Sequence, residues 1–150
     1  MCTYCGCESI EVIGRFMAEH TEIINAAGVL RRACQAGDQT EVERAADRLA
    51  WLLSPHTVNE EVGLFTVMRR DEQFTEHIDL LCGEHRTLDE ELAKVRAGDH
   101  AAYPAFEDLL RHHIDREDNG LFPAAAIALD GPDWTEVDEA TPAAADSRTT

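Results

Sequence analysis

The chain carries histidines and glutamates at spacings that can gather them around metal ions. The segments from His56 to Phe65 and from His113 to Phe122 share a histidine, a glutamate four residues on, a second acidic residue, then glycine, leucine and phenylalanine, in the same order and at the same intervals. Glu60 and Glu117 therefore lie on the helix faces of His56 and His113. Upstream of each segment stands a Glu-His pair, Glu19-His20 and Glu84-His85, and between pair and segment lies the same triplet, Ala36-Gly37-Asp38 or Ala97-Gly98-Asp99. This is an internal repeat, each copy one helical hairpin.

The offsets between copies carry information. His85 follows His20 by 65 residues, Gly98 follows Gly37 by 61, and His113 follows His56 by 57. The second hairpin is thus shorter by about one helical turn, roughly 6 Å, on each arm, which moves the loop and leaves its two histidines level with each other. Four histidines and two glutamates can then meet in one layer. Burying that set without a counter-cation strands two carboxylates in a low-dielectric interior, and a pair of metal ions removes the cost. Imidazole with carboxylate suits iron, manganese or zinc, while the lack of cysteine among the six argues against a closed structural zinc site.

Four helices must position this layer. Apolar residues recur at three- and four-residue steps from Ser9 to Ala36, with Ile10, Ile13, Met17, Ile24, Ala27 and Leu30 on one face and Gly37 as the stop. Asp38 with Glu41 reads as a capping box that opens a second helix to about Arg70, in which Pro55 is a candidate bend. A third helix spans about Glu72 to Ala97, and a fourth runs from Asp99 or Tyr103 to Leu129. Short connections predict an all-α, up-down-up-down four-helix bundle over residues 9–130. Residues 1–8 form a cysteine-rich segment, and residues 131–150, acidic and poor in large apolar side chains apart from Trp134, read as a disordered tail.

Composition excludes several partners. The formal charge of −17, with only 13 Lys and Arg among 150 residues, repels phosphate backbones and anionic membranes. No stretch approaches the roughly 18 apolar residues of a membrane span, and MCTYCGCESIEV lacks the features of a signal peptide, so a cytoplasmic location is expected, with the five cysteines as thiols or metal-bound thiolates.

Taken together, His20, His56-x3-Glu60, His85, His113-x3-Glu117 and the Leu121-Phe122-Pro123 ending resemble the hemerythrin-like HHE domains over residues 9–129. The resemblance implies a non-haem di-iron centre, two iron ions bridged by oxo or hydroxo and carboxylate groups, that meets oxygen, peroxide or nitric oxide. Oxygen carriers of the family have H-x-x-x-H on the third helix. Here the position four residues before His85 is Leu81, and His77 stands eight residues away, about 12 Å along the helix. The departure argues against reversible oxygen carriage and for a centre that reacts with peroxide or nitric oxide in a peroxidase-like way. The alternative is a non-catalytic module that senses or stores oxygen, nitric oxide or iron.

Some residues stay open at this level. Asp118, five residues after His113, competes with Glu117 for the bridging role, with symmetry to Glu60 favouring Glu117. Glu61 and Asp118 are alternative ligands, hydrogen-bond partners of the imidazoles, or solvated residues. Glu19 and Glu84 read as partners of Arg or Lys. Gly63 and Gly120, seven residues after their histidines, fit either a passage for small molecules or close helix packing. Cys2, Cys5 and Cys7 fit a redox pair or an ordinary reduced terminus. Cys34 and Cys82 read as buried helix residues, and His77, His100 and His112 as surface.

Overall fold

A computed structural model describes residues 10–143, and Cys2, Cys5 and Cys7 lie outside them. Helix α1 covers Glu11–Ala36 and α2 covers Gln39–Glu60, passing through Pro55. A π-helical turn at Glu61–Phe65 leads from α2 into α3, Thr66–Met68. After a tight connection come α4, Glu72–Arg96, a short 3-10 turn at His100–Ala102, and α5, Tyr103–Arg116. A second π-helical turn, Glu117–Leu121, leads into α6, Phe122–Ala128, and α7 follows at Gly131–Ala140. The described residues contain no strand.

Both hairpin loops are made the same way. Gly37 and Gly98 adopt positive φ (67° and 118°), where a side chain would be strained. The following amides close onto the helix: Asp38 N–H reaches Ala33 O at 3.2 Å and Asp99 N–H reaches Lys94 O at 3.1 Å, which satisfies carbonyls the helix end would leave bare. Asp38 then caps α2 by accepting from the Glu41 amide at 3.2 Å. The carboxylate of Glu41 does not complete a capping box, because it pairs with Arg44 at 2.9 Å.

The apolar interior falls into two parts. One contains Ile13, Phe16, Met17, Leu64, Phe65, Leu81, Leu121 and Phe122. The other, toward the hairpin loops, contains Ile23, Leu30, Leu49, Leu53, Leu88, Phe106 and Leu110. On every helix the boundary between them falls at the histidine: Met17 and Ile23 flank His20, Leu81 and Leu88 flank His85. Tyr103 fastens α5 to α1 in the loop-side core by donating to Ala27 O at 2.6 Å.

Residues 131–140 depart from the expected disordered tail. Asp130 and Asp133 form a reciprocal capping box, with Pro132 in the first turn where its missing N–H costs nothing. Val137 is fully buried and Trp134 packs beside it against the core end that holds Phe16 and Phe122. A Cβ at Gly63 would collide with Thr141 and lie 3.3 Å from Val137 O. Of the two readings of Gly63, close packing is therefore the one that applies. A Cβ at Gly120 would meet nothing within 4 Å.

Candidate metal centre

The polar layer between the two cores consists of His20 on α1, His56 and Glu60 on α2, His85 on α4, His113 on α5, and Glu117 at the head of the second π-helical turn. Each is at most 3% exposed. Their donor atoms form two groups, His20, His56, Glu60 and Glu117, and Glu60, His85, His113 and Glu117, each with its donors within 4.8 Å of one another. Glu60 and Glu117 belong to both.

Every imidazole is aimed by a carboxylate behind it. Nδ1 of His20 lies 2.8 Å from Asp118, that of His56 2.7 Å from Glu19, that of His85 2.7 Å from Glu61, and that of His113 2.9 Å from Glu84. A proton held on each Nδ1 by these anions leaves the Nε2 lone pair facing the layer. The arrangement repeats between hairpins: the His20–His56 and His85–His113 ring pairs both have centroids 4.7 Å apart at 64°. Phe122 stacks on His20 at 5.9 Å as Phe65 stacks on His85 at 5.8 Å. Phe16 and Leu81, each four residues before the histidine of its helix, are both fully buried, so the place of a fifth histidine is apolar.

The π-helical turns explain how adjacent acids serve two different tasks. Glu60 turns both oxygens into the layer while Glu61 reaches out to His85 on α4, and Glu117 and Asp118 divide the same way toward the layer and toward His20 on α1. One extra residue in the turn widens it, a device often found at functional sites. Thr66 Oγ1 donates to Glu61 O at 2.7 Å across the first of these turns. Asp118 thus stands behind a histidine rather than in the layer, and Glu117 occupies the position related to Glu60.

The inward atoms are poorly satisfied by one another. Nε2 of His20 and His56 and all four oxygens of Glu60 and Glu117 are buried without a properly directed hydrogen bond. They crowd nonetheless: His20 Nε2 lies 3.0 Å from Glu117, His56 Nε2 and His85 Nε2 each 3.3 Å from Glu60, and His85 Nε2 only 3.1 Å from His113 Nε2. Lone pairs facing lone pairs need a proton or a metal between them. Burial works to lower the His20 pKa but is outweighed by its bond to Asp118 and the close carboxylate of Glu117, and the group is pushed up to about 10. His85 rises to about 11 and His56 to about 9, again against burial, through Glu60 with Glu117 and Glu60 with Glu19 respectively. His113 is also raised, by Glu117 and Glu60 against burial. Burial works to raise the carboxyl of Glu117, yet His113, His20 and His85 hold it well below the usual range. Protons here take the place a metal cation would fill. With neutral imidazoles, six carboxylates face two guanidiniums, Arg15 on Glu19 and Arg116 on Glu84, an imbalance that matches two divalent cations. The residues present fit such ions.

Sequence reasoning missed Glu19 and Glu84. They do pair with Arg15 and Arg116, as expected, but their second oxygens hold His56 and His113. The available signal was the recurrence of the Glu-His dipeptide in both copies. The remaining histidines stand apart from the layer: His100 bonds Gln39 at 2.7 Å, His112 bonds Asp108 O on its own helix, and His77 is half-buried on α4. Cys82 is buried, whereas Cys34 is only partly covered. No helix among the described residues is long and apolar enough to cross a membrane.

No curated protein and no solved structure matches the chain. The hemerythrin HHE cation binding domain, by contrast, matches residues 11–125, a span that runs from the first turn of α1 into α6 and includes every donor of the layer. The chain belongs to the hemerythrin HHE cation-binding family.

Proposed function

We propose that His20, His56, Glu60, His85, His113 and Glu117 hold two iron ions, with Glu60 and Glu117 shared between them, and that the centre binds and reacts with a small oxidant, peroxide or nitric oxide. The observation that carries this reading is the set of buried, unsatisfied donor atoms turned toward one another while every Nδ1 is already committed to a carboxylate. Four imidazole nitrogens and two carboxylates are a donor set suited to iron. Bound iron supplies Lewis acidity and redox electrons to a small ligand. The chain's own part is to orient. The carboxylates behind the rings fix the tautomer and raise the basicity of each imidazole. Phe16, Leu81, Phe65 and Phe122 wall the layer with apolar groups, which keeps bulk water and large reductants away from it. With Leu81 in place of a fifth histidine, fewer protein donors stand in the His85 half than in an oxygen carrier, and this favours reaction over reversible carriage.

The test is metal content and the visible spectrum of protein purified under iron-replete conditions, followed by peroxide titration. About two irons per chain, with absorption that changes as peroxide is consumed, supports the reading. Zinc alone, or no metal, overturns it. Stable adducts without turnover leave the iron centre and replace reaction with sensing or storage.

A further inference from the structure

The correspondence between the hairpins extends to surfaces outside the histidine layer. Helix α7 lies against the first hairpin, where three residues hold it. Arg70 pairs with Glu136, and Arg15 donates to Pro142 O at 2.8 Å. Gly63 comes so close that only its missing side chain leaves room for Thr141 and Val137 O. Trp134 and Val137 pack against the core end beneath. The offsets of 57 and 65 residues that relate the histidines carry Arg70 to Ile127, Gly63 to Gly120 and Arg15 to Leu80. Among the described residues this second place is bare. A Cβ at Gly120 would meet nothing within 4 Å, and Leu80 and Ile127 are 51% and 84% exposed. Two large apolar side chains thus face outward where the first hairpin holds a helix.

We propose that the face formed by Leu80, Gly120 and Ile127, between α4 and α6, is a docking surface for an amphipathic helix of another protein, one with apolar anchors toward the face and basic residues on its flanks. The fold supplies the precedent. The same backbone frame in the first hairpin accepts α7, a helix of 10 residues whose anchors Trp134 and Val137 stand three apart, the spacing that helices laid into grooves commonly use. The exchanged side chains say which helix fits. α7 carries Asp133, Glu136, Asp138 and Glu139, and two arginines, Arg15 and Arg70, border the place where it lies. At the corresponding positions the bare face has leucine and isoleucine, while Glu76 stands where Glu11 borders α7. An acidic helix such as α7 of a second copy finds no cation at these positions. Two bare faces set together would join like-charged surfaces in a chain of formal charge −17. A basic amphipathic helix meets the apolar pair and the acid at once. One short helix covers little area for an interface, so the complex belongs to the transient class. The surface does not depend on what fills the histidine layer.

The experiment is fluorescence anisotropy with two labelled peptides and the full chain. One peptide is residues 130–142 of this chain unaltered. The other carries Glu136→Lys, Asp138→Lys and Glu139→Lys, which keeps the Trp134 and Val137 anchors and the capping acids Asp130 and Asp133. The lysine peptide is expected to bind saturably and about tenfold more tightly than the acidic one. Leu80→Gln with Ile127→Gln should weaken it by about tenfold. Leu80→Arg with Ile127→Arg rebuilds the arginine pair of the first hairpin and should reverse the preference between the peptides. Both positions are exposed, so the variants keep the fold, which circular dichroism checks. Absence of saturable binding, equal affinity for the two peptides, or binding that neither pair of substitutions changes overturns the proposal. So does a chain that light scattering finds dimeric and that Leu80→Gln with Ile127→Gln makes monomeric, because a second copy then covers the face.

Discussion

The four carboxylates behind the imidazoles yield a graded prediction. Glu84, Asp118, Glu19 and Glu61 make nearly the same bond, 2.7–2.9 Å to an Nδ1. Their side chains differ in exposure: 8% for Glu84, 14% for Asp118, 25% for Glu19 and 41% for Glu61. Replacing each by its amide (Glu84→Gln, Asp118→Asn, Glu19→Gln, Glu61→Gln) keeps shape and an acceptor oxygen but removes the charge. A charge-assisted hydrogen bond is worth about 1 kcal/mol more than a neutral one, and that difference is felt fully only where solvent does not screen it. About 1.4 kcal/mol corresponds to tenfold in affinity. Metal affinity is therefore expected to fall about fivefold in Glu84→Gln, somewhat less in Asp118→Asn, less again in Glu19→Gln, and only about twofold in Glu61→Gln. Competition against a chelator of known affinity, followed by metal analysis, measures all four. Equal losses across the series, or the largest loss at Glu61, would show that the carboxylates do not act on the metal through the imidazoles.

Further outcomes follow from the same geometry. His56→Ala and His113→Ala are expected to lose comparable metal, and a variant of either that retains two ions by metal analysis contradicts the shared layer. In metal-free protein His20, His56 and His85 have pKa values raised from 6.5 to about 10, 9 and 11, so their contribution to stability is full below about pH 6.5 and is lost as pH rises through about 9–11. Thermal melts of stripped protein should weaken over that alkaline range, and metal loading near pH 7 should release protons visible to an indicator dye. Gly63→Ala forces Val137 O and Thr141 aside and is expected to cost about 1–3 kcal/mol, whereas Gly120→Ala meets open space and should be neutral or stabilising by up to about 1 kcal/mol in urea melts.

Much of this architecture was legible because the signals were periodic. The hairpin repeat and its offsets placed four histidines in one layer, and the two loop glycines marked the turns to the residue. What escaped were features whose cause lies across the bundle. The task of Glu84 is set by a histidine on the neighbouring helix, and nothing local distinguishes it from an acid that meets only Arg116. The π-helical turns let two adjacent acids face different helices, which no single-helix wheel anticipates. Helix α7 was masked by composition: Gly131-Pro132 reads as an end, although Asp130 and Asp133 around it form a helix start, and its apolar anchors among the described residues are Val137 and Trp134. The choice between passage and packing at Gly63 needed the position of α7 itself.

The correspondence between hairpins has a consequence for how such a centre can arise. One hairpin holds two of the four imidazoles, one of the two shared carboxylates, and two of the four outer acids, each aimed at its own or at the other hairpin's histidine. Glu19 and Glu84 hold histidines within their own hairpins, but Glu61 and Asp118 hold histidines of the opposite one. A chain of half this length would therefore hold only half of a site, and two copies meeting face to face would complete it. The layer is built as the interface of a two-fold dimer is built, within one chain. Within one chain the halves can also differ, with Asn59 against Arg116 and a covered Gly63 against a bare Gly120, which a symmetric dimer of identical chains does not allow.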